Sequence, residues 1–192
     1  KEFIIKYYYK NNDKFNAIKS ETDNLLFFNR QKFSQFPSII NYNDNLLIMS
    51  FINNNDDQPH QTNGDLLNSI ISLHSNKSED YGFNFDTQIG GLRQINSSSK
   101  NWLEFYRDKR LNYIFDLVNK NQPMDQTINT KIDLLIKKID NFIPNKPIAS
   151  LLHGDLWEGN ILFKNNKFVG FIDPGSFYGH NELEVSYLRW FN

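Results

Sequence analysis

Apolar and polar positions along the chain predict strands first and helices afterwards. Glu2–Lys10 is dense in β-branched and aromatic residues, which predicts a strand. From Asp13 to Phe28, the apolar Phe15, Ile18, Leu25 and Leu26 fall near helical spacing. Phe36–Ile40 and Asn45–Ile52 predict a second pair of strands, and the polar, Pro59-containing Asn53–Asn63 predicts a loop. Asp65–His74 carries Leu66, Leu67, Ile70, Ile71 and Leu73, the pattern of a buried helix. Tyr81–Asn96, punctuated by Gly82, Gly90 and Gly91, reads as a long irregular loop, a type that is often functional. A strong helical pattern then runs from Trp102 to Asn119, with a break at Pro123. Thr130–Phe142 is amphipathic, and Pro144 and Pro147 lead into Leu151–Asn160. Ile161–Lys164 and Lys167–Ile172 predict two short strands. Pro174–His180 reads as a loop and Glu182–Phe191 as a helix with Leu183, Tyr187, Leu188 and Trp190 as apolar members.

The two strands after Leu151–Asn160 carry the first chemical inference. Asn165-Asn166 suits a tight hairpin turn, because Asn tolerates the positive φ that such turns need. The hairpin returns Asp173 to the neighbourhood of Asn160, so that Asp155, Asn160 and Asp173 converge. Phosphoryl transfer needs a carboxylate to position and accept the proton of an attacking hydroxyl, together with hard oxygen ligands for Mg²⁺. His153-x-Asp155, then four residues and Asn160, has the H-x-D-x-x-x-x-N spacing of a protein-kinase catalytic loop. Asp155 is the candidate base, and Asn160 and Asp173 are the candidate metal ligands. The competing reading is an ordinary turn between buried strands. The offset Asn and the strand-borne Asp favour the site.

Composition narrows the class. Formal net charge is −1 over 192 residues, which gives no broad electrostatic case for nucleic acid or an anionic membrane. The sequence has no cysteine, which excludes disulfides and thiol chemistry. No apolar run approaches a membrane span, and no signal-peptide pattern opens the chain. With 17 Phe, it has the apolar bulk for a packed interior. These features fit a cytoplasmic enzyme of undefined oligomeric state.

The stretch His153-Gly154-Asp155-Leu156-Trp157-Glu158-Gly159-Asn160, followed by Gly170-Phe171-Ile172-Asp173-Pro174-Gly175-Ser176-Phe177-Tyr178-Gly179-His180, closely resembles the fructosamine kinase (ketosamine-3-kinase) family. That family lies within the aminoglycoside-phosphotransferase-like kinases. Tyr81-Gly82-Phe83, Asp86-Thr87, Gln94-x-Asn96, Trp102 and Phe105-Tyr106-Arg107-x-x-Arg110-Leu111 agree as well. The resemblance implies an α+β, two-lobed, protein-kinase-like fold. Residues 1–52 would be a partial, strand-rich nucleotide lobe, and 53–192 a mostly helical lobe with the catalytic loop. Relatives are longer at both ends, so the chain is expected to be a fragment or a truncated gene product.

By the same resemblance Lys6 grips the phosphates of ATP, with Lys10 as a weaker alternative, and Glu21 pairs with Lys6. Backbone groups near Met49, Ser50 and Phe51 meet adenine. Asp86, Gln94 and Asn96 lie near the acceptor side, where they either bind sugar hydroxyls or satisfy their own loop. Trp157 either stacks on a sugar or wedges the loop, while Tyr178, His180 and Glu182 shape the acceptor site. Arg107 and Arg110 are expected to form surface or inter-helix ion pairs, and His74 to be a core and helix-end feature. The implied reaction is ATP- and Mg²⁺-dependent phosphorylation of a sugar hydroxyl on a ketosamine, free or protein-bound, in deglycation repair. The rivals are another small-molecule kinase, of the aminoglycoside or choline type, and a truncated, non-catalytic nucleotide- or ligand-binding remnant.

Overall fold

The computed structural model describes residues 2–8, 15–55 and 63–190. Lys10 and Asp13 lie outside them. Near the N-terminus, β1 (Phe3–Tyr7), α1 (Ala17–Arg30), β2 (Ile39–Asn43) and β3 (Leu46–Ser50) form an antiparallel sheet of order β1-β3-β2, with the helix packed against it. Phe36 and Pro37, read from the sequence as part of a strand, precede β2 in a turn. The Phe36 ring is instead spent on the core, stacked on Phe28 at 3.8 Å.

The rest of the chain is mostly helical. It contains α2 (Gly64–His74), α3 (Trp102–Tyr106), α4 (Tyr113–Asn121), α5 (Gln126–Lys137) and α6 (Asn181–Trp190). Asn16, Asn63, Asn101 and Asp125 cap α1, α2, α3 and α5, each accepting a backbone N–H of the first turn. Asn63, at the end of the predicted loop, therefore starts a helix, and Asn16, inside the predicted helix from Asp13, marks where that helix begins instead. The long helix predicted from Trp102 is continuous but contains a π-helical stretch, Arg107–Asn112, between α3 and α4. Among the described residues no helix is long and apolar enough to cross a membrane.

Three strand features escape the hydrophobic pattern. β5 (Thr87–Ile89) and β6 (Leu92–Gln94) form a hairpin through Gly90-Gly91, both at positive φ, inside the predicted irregular loop. The predicted loop Pro174–His180 ends in a strand, Phe177–His180, that pairs antiparallel with Ala149–Leu152, while Lys77–Ser78 pairs along the latter's other edge. Both strands are only four residues long, so pairing rather than local sequence decides them. In chain order, Lys77–Ser78 is β4, Ala149–Leu152 is β7, and Phe177–His180 is β10. Between the last two, β8 (Ile161–Lys164) and β9 (Lys167–Phe171) form the expected hairpin, with Asn165 and Asn166 at φ 52° and 61°.

One apolar core joins the N-terminal sheet to the helical part. Leu25, Phe28, Phe36, Leu47 and Met49 pack with Leu73, Leu151, Leu156, Phe163 and Phe171. Gln35 O accepts the Phe171 N–H at 2.8 Å, and Phe163 O accepts the Asn55 N–H at 3.1 Å. Gly170 allows that approach, since a Cβ there would meet Gln35 O at 2.7 Å. Phe28 is fully buried at the centre. Phe28→Ala should therefore lower the unfolding free energy by about 3–5 kcal/mol, measured by urea denaturation. A loss below ~1 kcal/mol would mean this core does not hold the two parts together.

Candidate active site

The site is built from four backbone segments. β7 delivers His153, Gly154 and Asp155; a 3₁₀ turn, Glu158–Asn160, delivers Asn160; β9 runs out at Asp173; β1 delivers Lys6. Asn160 Nδ2 donates to Asp155 O at 2.7 Å and to Asp155 Oδ2 at 3.1 Å. Ile172 N–H donates to Asn160 O at 3.1 Å, which brings Asp173 alongside. Lys6 Nζ donates to Asp173 Oδ1 at 2.5 Å and to Glu21 Oε1 at 2.8 Å, a pairing across 167 and 15 residues of chain. Lys6 and Asp173 line a cleft of about 190 Å³ with Met49, Ser50, Phe51 and Ile52.

His153 is fully buried and does not face the cleft. Its Nε2–H donates to Ile172 O at 3.0 Å, and its Nδ1 accepts the Asp155 N–H at 3.3 Å. Both ring nitrogens are thus used by a neutral imidazole, and burial holds its pKa below the ordinary histidine value. The imidazole links the residue before Asp173 to the backbone of Asp155.

A second brace fixes the two loops against each other. Gly175 N–H donates to His153 O at 3.0 Å, and Ser176 Oγ donates to the same carbonyl at 3.1 Å. Gly175 O in turn accepts from Thr87 Oγ1 and Gln94 Nε2, each at 3.1 Å. Gly154 has φ +87°, and a Cβ there would sit 2.0 Å from Gly175 O, so only glycine fits.

The electrostatics are unbalanced toward negative charge. Burial pushes the Asp155 carboxyl up to about 6; the Asn160 amide opposes the shift, and the Asp173 and Glu184 carboxylates add to it. Burial also raises Glu21, more than its contact with the shared Lys6 offsets. Burial alone would lower Lys6, but Glu21 and Asp173 outweigh it and hold its pKa above the ordinary value.

These residues suit a magnesium ion bound with phosphates. Among the described residues both bonds of the Asn160 side chain are made by its nitrogen, which leaves Oδ1 as a lone-pair donor. The Asp173 side chain is 38% exposed, so it can reach a cation. Among the described residues no group of three or more His, Cys, Asp or Glu could hold a metal without help. Two protein oxygens completed by phosphate and water is the usual arrangement for Mg²⁺.

The remaining candidates lie elsewhere. Asp86 accepts the Asn96 N–H through Oδ1 and pairs with Arg93 through Oδ2. Asn96 is fully buried and donates to Thr87 Oγ1 at 2.8 Å. Asp86, Gln94 and Asn96 thus bond within their own loop, to Gly175 and to Arg110. The half-exposed Trp157 indole lies against Gly159, where a Cβ would meet the ring at 2.3 Å.

Tyr178 pairs with Gly82 through both backbone groups and lines a separate cavity with Phe27, Asp80, Phe83 and Lys100. The His180 ring meets Trp102 edge-on at 6.4 Å, and the Glu182 side chain is 80% exposed. Arg107 pairs with Asp108 as expected, but among the described residues Arg110 forms no ion pair. The Arg110 guanidinium stacks 4.3 Å from the Phe177 ring centroid, donates to Asn96 Oδ1 at 2.7 Å, and is lowered by burial to about 10. Beside Gly154 a larger, mostly apolar cavity of about 470 Å³ is lined by Tyr106, Arg110, Phe115, Leu135 and Tyr187.

Glu184 was not anticipated. It is buried on α6 and accepts the Gly154 N–H at 2.7 Å. The available signal was a carboxylate placed three and four residues before Tyr187 and Leu188, on the apolar face of its helix.

Comparison with solved structures defines the class: a two-lobed, protein-kinase-like α+β fold. A candidate fructosamine-3-kinase from Thermobifida fusca superposes with a TM-score of 0.85 at 21% identity, covering 99% of this chain and 66% of that one. The streptomycin–ATP–APH(2″)-IIa ternary complex superposes at 0.62 and 18% identity, covering 95% and 62%. The sequence pattern of the fructosamine kinase family matches residues 1–192, and the chain belongs to that family. It is 35% identical over 173 residues to the chloroplastic protein-ribulosamine 3-kinase of Arabidopsis thaliana, covering 88% of this chain and 51% of that protein. The chain thus spans about half the length of that relative.

The raised Asp155 has a consequence for stability. A carboxyl with a folded-state pKa of about 6, against an unfolded value near 4, binds its proton more tightly when folded. Its cost is absent below pH ~4, grows through pH ~6 and is constant above. After discounting for partial solvation, that cost is about 1–2 kcal/mol. In magnesium- and nucleotide-free buffer, Asp155→Asn should melt at a higher temperature than the wild type at pH 8, and the gap should close near pH 4. An equal or lower melting temperature at pH 8 would contradict the burial argument.

Proposed function

We propose that the chain carries the catalytic centre of an ATP-dependent kinase that phosphorylates a sugar hydroxyl of ketosamines, in protein deglycation. Residues 1–52 serve as the nucleotide lobe and 53–192 as the lobe bearing the catalytic loop. The observation that carries this reading is the meeting of the Asp155–Asn160 pair with the Lys6–Glu21–Asp173 cluster, joined by the Ile172 N–H bond to Asn160 O. The acceptor class rests on family membership and on the ribulosamine kinase activity named for the Arabidopsis relative. The use of ATP is supported by the ATP bound in the APH(2″)-IIa complex of the same fold.

Asp155 orients the acceptor hydroxyl and takes its proton as the oxygen bonds to the γ-phosphorus. The bond between that phosphorus and the β,γ-bridging oxygen breaks, and ADP leaves. Lys6, ordered by Glu21, turns from Asp173 to the phosphates when nucleotide enters, which frees the Asp173 carboxylate. Asn160 Oδ1 and Asp173 would hold magnesium, which would supply neutralisation of the phosphate charge. Asn160 also restrains Asp155 through its amide nitrogen, so one side chain aligns base and metal side together. Met49, Ser50 and Phe51 form the adenine wall of the cleft. Gln94 and Asn96 act through the brace on Gly175, and Trp157 through its packing on Gly159.

Asp155→Asn should lower kcat about 10²–10⁴-fold, with Mg-ATP affinity changed less than about threefold, read by ADP release on a fructosamine and by calorimetric titration. Asp173→Asn should instead abolish the magnesium dependence of nucleotide binding. Turnover retained in Asp155→Asn would remove Asp155 from its role. An aminoglycoside phosphorylated in preference to any ketosamine would overturn the acceptor class, and absence of Mg-ATP binding by the wild type would favour a binding remnant.

A further inference from the structure

The cavity beside Gly154 carries positive charge on an apolar wall. Its volume of about 470 Å³ lies within the range of small-molecule sites. The charged side chains that line it are Arg93, Lys109 and Arg110, with no Asp or Glu among the described residues of the wall. Arg93 is spent on Asp86. Lys109 and Arg110 form no ion pair among the described residues; their acceptors are backbone carbonyls and the Asn96 amide. Both sit in the π-helical stretch Arg107–Asn112, a rare geometry that recurs at functional sites.

Arg110 is well held but not neutralised. Its Nη1 donates to Ile95 O at 2.8 Å and to Lys109 O at 3.0 Å, and its Nη2 to Asn96 Oδ1 at 2.7 Å. The Phe105 and Phe177 ring centroids lie 4.8 and 4.3 Å from its guanidinium carbon. Nε has no partner among the described residues and is closed off from solvent, while the residue as a whole keeps some exposure along the cavity. Burial lowers Lys109, and the Arg110 charge lowers it further, so the two cations burden each other. Two adjacent cations at an apolar wall are costly without a counter-ion, and an anion in the cavity would relieve both.

The cavity also adjoins the candidate base. Gly154, in its wall, directly precedes Asp155. Tyr187, on α6, lines the cavity and lies within electrostatic reach of both ends: burial raises its phenol, Tyr106, Asp155 and Glu184 add to the shift, and Arg110 opposes it. A molecule with a hydroxyl at Asp155 would therefore extend past Tyr187 towards Arg110.

We propose that Arg110, with Lys109 beside it, is the anion anchor of the acceptor site. The cavity takes a ketosamine formed on the α-amino group of an apolar amino acid, with the free carboxylate at Arg110 and the side chain on the apolar wall. A ketosamine on a lysine within a protein has no carboxylate beside the adduct. The free lysine adduct brings an ammonium that the same cations repel. The identity of the acceptor rests on the kinase reading above, but the preference of the cavity for an anion does not.

The test titrates the nucleotide-free full chain by calorimetry with three ligands: fructosyl-phenylalanine, its carboxamide, and an end-blocked peptide glycated on an internal lysine. The wild type should bind the carboxylate at least about tenfold more tightly than the carboxamide, and the peptide should follow the carboxamide. In Arg110→Met the difference between carboxylate and carboxamide should shrink below about threefold, and in Lys109→Met it should fall by about two- to fivefold. With Mg-ATP present, the same preference should appear in kcat/KM and be carried by KM.

Equal binding of the two phenylalanine ligands by the wild type, tighter binding of the peptide, or an undiminished preference in Arg110→Met would each overturn the proposal. If Arg110→Met does not fold, Lys109→Met decides by whether the preference falls; if neither folds, the wild-type preference decides. A wild type that keeps the carboxylate preference but transfers no phosphate would sink the kinase reading and leave the anion anchor standing. Phosphate transfer without the preference would do the reverse.

Discussion

One ammonium group, Lys6 Nζ, is shared by two carboxylates that belong to different parts of the fold. Glu21 comes from the helix packed on the N-terminal sheet, and Asp173 from the far end of the β8–β9 hairpin. The pairing works only if β1, α1 and the hairpin keep their places, and the common core around Phe28 and Phe36 keeps them there. The arrangement is also incomplete in charge. Glu21 and Asp173 place two carboxylates on one lysine, and burial raises the pKa of Glu21 and of Asp155, the latter helped by Asp173. A site in this condition favours a cation, and the lysine is the cation the chain itself can supply.

The second constraint is steric. Gly154 and Gly175 approach so closely that a side chain on either would collide with backbone or with Gln94. That contact lets the loop before Asp155 and the loop after Asp173 lie face to face. Thr87 and Gln94 close the arrangement by donating to the Gly175 carbonyl. The polar residues of the 81–96 segment therefore act on the site at one remove. They hold the loops that hold the carboxylates, which accounts for their burial better than contact with a polyhydroxylated ligand would.

How much of this could be read from the chain depends on the range over which each feature is determined. Asp155, Asn160 and Asp173 were legible because a hairpin of known span and turn chemistry separates them, and Asn165 and Asn166 adopt the positive φ that their type allows. Helix α2 was legible from its periodicity, and α5 except for its start, which Asp125 fixes by capping five residues before the predicted one. β10 was not legible, since Phe177–His180 becomes a strand only by pairing with β7 across a loop rich in Pro and Gly. The β5–β6 hairpin has strands of three residues, too short for alternation to register. Arg110 was expected to find a carboxylate, but its buried guanidinium meets aromatic faces, two backbone carbonyls and Asn96, with its Nε left without a partner among the described residues, and sequence spacing reveals none of this.

The neutral His153 and the ionic surroundings of Asp155 belong to one design. A charged imidazole behind Asp155 would lower the carboxyl pKa and weaken it as a proton acceptor. Full burial between Phe36 and Phe171 disfavours that charge, and the bonds at Nδ1 and Nε2 leave no nitrogen to take another proton. Asp155 meanwhile has the Asn160 amide, which supports its ionised form, and neighbouring carboxylates, which oppose it. The balance leaves a carboxyl more basic than an exposed aspartate, held by groups that cannot themselves compete for the proton. The same imidazole binds the Ile172 carbonyl and the Asp155 N–H, so one buried ring ties the backbone of Asp155 to the residue before Asp173.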